Sequence, residues 1–90
     1  MMRPIITVIG KDKVGIVAGI SVELLNYDIN IIDISQTIME EFFTMVLIVD
    51  LSKSKKSFDE IKNGLTLRGS KLGVDVKIQR EEIFNSMHTL

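Results

Sequence analysis

Apolar residues in this chain repeat at two different spacings, and the order of these spacings restricts the fold more than any other feature. Strand-like alternation or short β-branched runs occupy four segments, residues 5–9, 30–38, 43–51 and 74–79. Helical spacing of three and four residues occupies two segments, residues 14–26 and 58–72. The predicted order is therefore β-α-β-β-α-β, the split βαβ arrangement of a ferredoxin-like α+β fold.

This order also predicts how the elements are layered. Right-handed crossovers place both helices on one face of a four-stranded antiparallel sheet and leave the other face open. Val46 and Ile48 of the third strand belong to the open face although they are apolar, so we expect the C-terminal tail or another subunit to cover them. Within that tail, residues 83–88 space apolar side chains one turn apart, which predicts a short C-terminal helix.

Residues suited to capping stand at the ends of both predicted helices. Asp12 is a favourable N-cap for the first helix, because its carboxylate accepts backbone N–H bonds and suits the positive end of the helix. Ser57, with Glu60 three residues later, predicts a capping box at the start of the second helix. Gly73 is placed to end that helix.

Length and residue usage predict one small domain without catalytic chemistry. The 90 residues suffice for a single domain, with a core over about residues 4–80 and a tail over 81–90. The absence of cysteine excludes disulfides, thiolate catalysis and cysteine-bound zinc, and it fits a cytoplasmic protein. His88 is the one histidine, and no acid, base and nucleophile converge. We therefore expect no enzyme activity, no cofactor and no metal site.

Charge and hydropathy disfavour membranes and nucleic acids as partners. The formal net charge of −1 attracts neither anionic lipid nor nucleic acid, and no apolar run approaches the ~18 residues of a membrane span. Basic residues do cluster over residues 53–80, which indicates either a solvated helix face or an anionic partner. RNA binding by stacking on the sheet is disfavoured, because Phe42 and Phe43 are adjacent and face opposite ways.

The segment Gly10–Gly15, with the sequence GKDKVG, follows a predicted strand and leads into a predicted helix. Its spacing matches the start of a phosphate loop, but Ile16 and Val17 stand where that loop needs its lysine and hydroxyl, which excludes nucleotide hydrolysis. Two interpretations remain. The glycines permit a tight strand-to-helix turn, or the turn exposes backbone N–H groups that bind a carboxylate.

Residues 10–17 together with Asn30-Ile31 resemble the signature of ACT domains, in which a strand leads into a D-[RK]-x-G-[IL]-type turn and the second strand opens with Asn-Ile. The resemblance covers about residues 4–80. Residues 33–37 and 43–45 are similar to stand-alone ACT proteins related to the glycine-cleavage repressor. The tail, residues 84–88, is similar to that of a short uncharacterised branch of the same group.

This resemblance implies a regulatory domain that binds a small molecule, an amino acid, at an interface between two copies of the chain. It implies that Asp12 contacts the ligand, that Gly15 lets the turn approach it, and that Asn30 faces it from the neighbouring subunit. Lys13 stands where proline is common in the family, which loosens the turn. The candidate ligand-binding residues are Gly10, Asp12, Lys13, Val14, Gly15, Ile16, Asn30 and Ile31.

The chemistry of a zwitterion fits these positions. The turn supplies N–H donors for a carboxylate, while Asp12 and the Asn30 side-chain oxygen supply acceptors for an ammonium group. The domain would then act as a homodimer that modulates an enzyme or regulator. A second hypothesis keeps the fold but makes the chain a protein-interaction adaptor without a small-molecule ligand, because these residues include no output domain and the third strand is apolar on both faces.

Overall fold

The computed structural model describes residues 3–80, which form four strands and two helices. In chain order these are β1 (Ile5–Lys11), α1 (Ile16–Asn26), β2 (Asn30–Met39), β3 (Phe42–Asp50), α2 (Phe58–Leu72) and β4 (Val74–Gln79). The strands form one sheet in the order β2-β3-β1-β4, with every neighbouring pair antiparallel. The predicted β-α-β-β-α-β fold is confirmed, while the predicted C-terminal helix lies outside the described residues.

The core lies between the helices and one face of the sheet. On the two central strands every second side chain is buried, as Ile6 and Val8 show on β1 and Met45 and Leu47 on β3, because residues in a strand alternate between faces. Each helix buries one stripe against this surface. The stripe residues are Ile16, Ile20 and Leu24 of α1 and Ile61, Leu65 and Gly69 of α2.

The start of α1 differs from the sequence prediction. The N-cap is Gly15, in a left-handed conformation with φ of 96°, so the prediction of Asp12 as the N-cap was wrong. The reason lies in strand pairing, since β1 stays in register with β3 as far as the Lys11–Phe42 pair. The Asp12 N–H also donates to the Glu41 carbonyl oxygen at 2.8 Å, so the chain leaves the sheet only after Asp12.

The ends of α2 follow the prediction. The Ser57 hydroxyl accepts from the Glu60 N–H at 3.2 Å, and the Glu60 carboxylate accepts from the Ser57 N–H at 3.1 Å, which completes the capping box. These hydrogen bonds to Ser57 lower the pKa of Glu60. Gly73 ends the helix in a left-handed conformation with φ of 77°.

Glycine allows α2 to approach β4 closely. A β-carbon at Gly69 would lie 2.6 Å from Val76 Cγ2 and 3.0 Å from the Val74 carbonyl oxygen. One at Gly64 would overlap the Tyr27 hydroxyl, so the Tyr27 side chain packs directly against α2 at this glycine. Glycine weakens the interior of a helix. Close packing of α2 against its neighbours explains why glycine nevertheless occupies positions 64 and 69.

β2 forms one edge of the sheet and is exposed over almost its whole length. A β-bulge interrupts its pairing, so that Ile31 stands opposite the buried Val49 and Asp33 stands opposite Ile48. Ile32 is the extra residue, so the alternation predicted over residues 30–38 is interrupted at this point.

The sheet has one face away from both helices, which we call the open face. It carries Ile5 and Ile9 of β1 and Phe42, Val46 and Ile48 of β3, as their pairing and alternation with the core residues require. Over residues 3–80, neither helix combines the length and apolar character needed to cross a membrane.

Candidate functional site

The predicted turn joins β1 to α1 at one end of the sheet and is attached to the β2–β3 hairpin. Besides the backbone bond from Asp12 to Glu41, the Lys11 ammonium lies 3.7 Å from the Glu41 carboxylate. Both side chains are mostly exposed, so this ion pair contributes little energy. The sequence analysis did not identify Glu41 as part of the turn, because only the strand register brings residues 11 and 41 together.

The first turn of α1 contains backbone N–H donors that have no partner within the helix. The first intrahelical bond runs from the Gly19 N–H to the Gly15 carbonyl oxygen at 2.8 Å. The N–H groups of residues 16–18 therefore have no acceptor within the helix, and no side chain from residues 3–80 caps them. This is the positive end of the helix dipole, which favours a carboxylate.

The side chains around these donors have different environments. Val14 is fully exposed beside them. Ile16 is 1% exposed as a whole residue, so it lies in the core and is closed to a ligand. The Lys13 ammonium lies at the C-terminal end of α2, since a β-carbon at Gly73 would be 3.2 Å from Lys13 Nζ, and a cation is favourable at that end.

Gly10 has a structural role inside β1. It pairs with Phe43 on one side and with Val74 on the other. A β-carbon at Gly10 would lie 2.8 Å from Val74 Cγ1 and 3.1 Å from Val74 Cα. Gly15, in contrast, has a positive φ and open space around it, so it lies where a ligand could approach the backbone.

The structure places Asn30 and Ile31 at the opposite end of the same sheet. Asn30 pairs with Asp50 on β3, whereas the turn follows Lys11, which pairs with Phe42 at the other end of β3. Eight strand positions separate Phe42 from Asp50, which corresponds to about 27 Å. Within one copy of the chain, the six candidate residues of the turn region and the two of β2 are therefore far apart.

A shallow concavity of about 310 Å³ lies beside Asn30. The Asp50 carboxylate on its wall accepts from the Ser52 N–H at 2.9 Å, and hydrogen bonding to Ser52 lowers the pKa of Asp50, which keeps this group ionised. Sequence analysis missed this feature, since its residues come from separate elements and share no motif. They are Leu25, Asp28, Ile29, Asn30, Asp50 and Lys53.

Metal chemistry has no support in the part of the chain that the structure describes. No three side chains of histidine, cysteine, aspartate or glutamate among residues 3–80 are grouped so that they could hold a metal ion. His88 lies outside the described residues. The candidate site therefore consists of the N–H donors at the turn and the concavity beside Asn30.

Comparison with known proteins identifies the family. The family model of the ACT domain matches residues 3–79. A UPF0237 protein of Listeria innocua is 57% identical over 89 residues, which cover 99% of this chain and 100% of the relative. The structure of an ACT domain protein from Streptococcus pneumoniae superposes with a TM-score of 0.81 at 46% identity, covering 92% of this chain and 93% of the other.

A more distant neighbour agrees in fold. The crystal structure of a putative glycine cleavage system transcriptional repressor superposes with a TM-score of 0.77 at 23% identity, covering 88% of this chain and 45% of that one. The resemblance stated from the turn, the Asn-Ile opening and the element order is thereby confirmed. The chain belongs to the ACT domain family, as a single ACT domain related to the UPF0237 proteins.

Proposed function

We propose that this chain is a regulatory domain that binds an amino acid in a site shared by two copies, and that it is not an enzyme. One observation carries the proposal. The donors of the turn and the acceptor Asn30 lie at opposite ends of one sheet, and the strand that begins at Asn30 has an edge with which no strand of residues 3–80 pairs.

A second copy would complete the site by pairing with this edge. Exposed strand edges accept another strand through their free N–H and C=O groups, and identical subunits associate most often about a two-fold axis. An antiparallel β2–β2 pair places Asn30 of one copy next to Met39 of the other. Met39, Phe42 and Lys11 lie in one row across the sheet, so the partner's Asn30 reaches the end that carries the turn.

Exposed apolar side chains beside β2 support this pairing. On the helix side of β2, Ile34 and Ile38 are 44% and 53% exposed. Val17 and Leu25, which are 37% and 72% exposed, lie on the flank of α1 away from α2. A second copy would remove these side chains from water, at about 25 cal/mol per Å² of apolar surface.

The shared site would hold a zwitterion by complementary groups. The N–H groups at the start of α1 would bind the carboxylate, and the side-chain oxygens of Asp12 and the partner's Asn30 would accept from the ammonium group. The acidic concavity around Asp28 and Asp50 would face the turn, which carries Lys11. Because both copies would contact the ligand, binding would stabilise the dimer by mass action and transmit occupancy to an enzyme or regulator.

Thermal unfolding against single amino acids tests the proposal. A ligand present at 100 times its Kd adds about 2.7 kcal/mol of stability, which raises Tm by roughly 10–20 °C in a domain of this size. We expect Asp12→Ala and Asn30→Ala to abolish the shift. Asn63→Ala, on the exposed surface of α2, is the matched control and should retain it. If none of the amino acids shifts Tm, the proposed ligand class is wrong.

An adaptor that binds a protein through the open face is the second candidate. Phe42 on that face is 54% exposed and Met39 is 70% exposed, and a concavity of about 370 Å³ lies between them and their neighbours. Affinity capture distinguishes the two functions. A partner that binds equally to the wild type and to the Asp12→Ala, Asn30→Ala double variant would favour the adaptor.

A further inference from the structure

We propose that the C-terminal segment, residues 81–90, packs on the open face of the sheet over Ile5, Val46 and Ile48. This face consists of the side chains that alternate with the core residues on β1 and β3. Ile5 stands directly opposite Ile48, and Thr7 stands directly opposite Val46, so these three apolar side chains form one patch. Both helices lie on the other side of the sheet, so neither helix covers this patch.

Burial along this face is uneven, and the gradient indicates where a cover lies. Ile5 is 6% exposed although it lies outside the core cluster formed with the helices. Ile9, on the same strand and the same face, is 49% exposed, and Phe42 at the far end of the open face is 54% exposed. The face is therefore most protected at the Ile5 end.

The chain leaves β4 at that same end. Gln79, the last residue of β4, pairs with Ile5, and Ile5 pairs with Ile48. Two strand spacings, about 10 Å, therefore separate the end of β4 from Ile48. Three extended residues span roughly that distance, so the segment would reach Ile48 by crossing over β1 alone.

The composition of the segment matches the patch. Ile83, Phe84 and Met87 are spaced as one face of a helical turn, and the two carboxylates of Glu81 and Glu82 precede them. Lys77 lies on the open face opposite Thr7, at the position where those carboxylates would approach. The Listeria innocua relative aligns over 89 residues, so its sequence also continues through this segment.

The length of the segment limits how much it covers. Eight residues in a helix span about 12 Å, whereas Phe42 lies six strand positions, or roughly 20 Å, from Ile48. The segment would cover the Ile5 half of the open face and leave the Phe42 half exposed. The proposal does not depend on any ligand and stands apart from the proposed function.

Because the chain contains no cysteine, engineered thiols can test the contact directly. In Val46→Cys, we expect Phe84→Asp to raise the rate of maleimide labelling at position 46 about tenfold. In Val22→Cys, on the exposed surface of α1, the same tail substitution should leave the rate unchanged. Equal rates at position 46 with and without Phe84→Asp would overturn the proposal.

Disulfide trapping then identifies which chain supplies the cover. The pair Val46→Cys, Phe84→Cys should oxidise to an intramolecular disulfide at least ten times faster than the control pair Val22→Cys, Phe84→Cys. Proteolysis and mass spectrometry after oxidation at low protein concentration read out the linkage. Products linked only between chains, or labelling protection that disappears on dilution, would show that a second copy covers the face and would contradict the proposal.

Discussion

Gly15 is the residue on which the geometry of the candidate site depends most directly. Its φ of 96° lies in the region that favours glycine, and it is also the N-cap of α1, where no side chain from residues 3–80 caps the first N–H groups of the helix. Gly10 belongs to the same sequence motif, but it is needed for another reason, because a β-carbon at this position would clash with Val74. The two glycines of one motif therefore have different roles, one in backbone conformation and one in packing.

We predict that Gly15→Ala lowers the free energy of unfolding by about 1–2 kcal/mol, because an L-residue is strained at this φ. Nothing lies within 4 Å of a β-carbon at this position, so the loss would come from backbone strain alone. Gly15→Asn should cost less, since asparagine adopts left-handed conformations more readily. Urea unfolding of both variants measures the difference, and an unchanged midpoint for Gly15→Ala would contradict the assignment.

At the scale of elements, a polar cluster joins α1 to α2. The Tyr27 hydroxyl donates to one oxygen of Glu23, and Arg68 Nε donates to the other oxygen at 3.0 Å. Lys56 Nζ lies 5.9 Å from the centre of the Tyr27 ring. Burial first, and then the hydrogen bond to Glu23 and its charge, raise the pKa of Tyr27 to about 12.

This raised pKa predicts a dependence of stability on alkaline pH. Between the unfolded pKa of about 10 and the folded value, the unfolded chain loses the phenolic proton while the folded chain retains it. The contribution of Tyr27 is therefore fully present below pH 10 and is lost as the pH rises towards 12. Urea unfolding at pH 8, 10 and 11 should show a steeper decline for the wild type than for Tyr27→Phe. If the stability of the wild type and of Tyr27→Phe fell equally with pH, Tyr27 would not be the source of the alkaline loss of stability.

The sequence predicted the end of an element correctly where residues close together in the chain determine that end. The capping box of Ser57 and Glu60 needs only residues three apart, and it forms as predicted. The start of α1 depended on pairing between residues 11 and 42, which are distant in sequence, and this pairing kept Asp12 out of the cap. The bulge at Ile32 likewise depends on fitting β2 to β3, for which its own sequence carries no signal.

At the scale of the whole molecule, topology decides what the candidate site can be. The sequence resemblance identified the turn and Asn30, but it could not show that they lie at opposite ends of the sheet within one copy. That separation follows from the strand order β2-β3-β1-β4, which is a property of the complete sheet. The concavity beside Asn30 was missed for the same reason, because Leu25 and Asp50 meet only after folding.

The proposed β2–β2 pairing predicts a specific effect of charge at the centre of β2. Ile34 lies near the middle of the strand, so in an antiparallel pair the two copies of this residue lie close to the two-fold axis. Ile34→Lys should raise the dimer dissociation constant at least tenfold by placing like charges near each other. Sedimentation equilibrium measures this, with Leu67→Lys on exposed α2 as the control. A wild-type chain that stays monomeric at high concentration would disprove the pairing.

Placing the turn and Asn30 at opposite ends of one sheet has a consequence for how such a protein would respond in a cell. A single copy would hold two half-sites and no complete one, so the number of complete sites would grow with the square of the chain's concentration while dimers are scarce. The response would then require two conditions together, enough metabolite and enough of the protein. Expression level would set the threshold at which the metabolite is sensed.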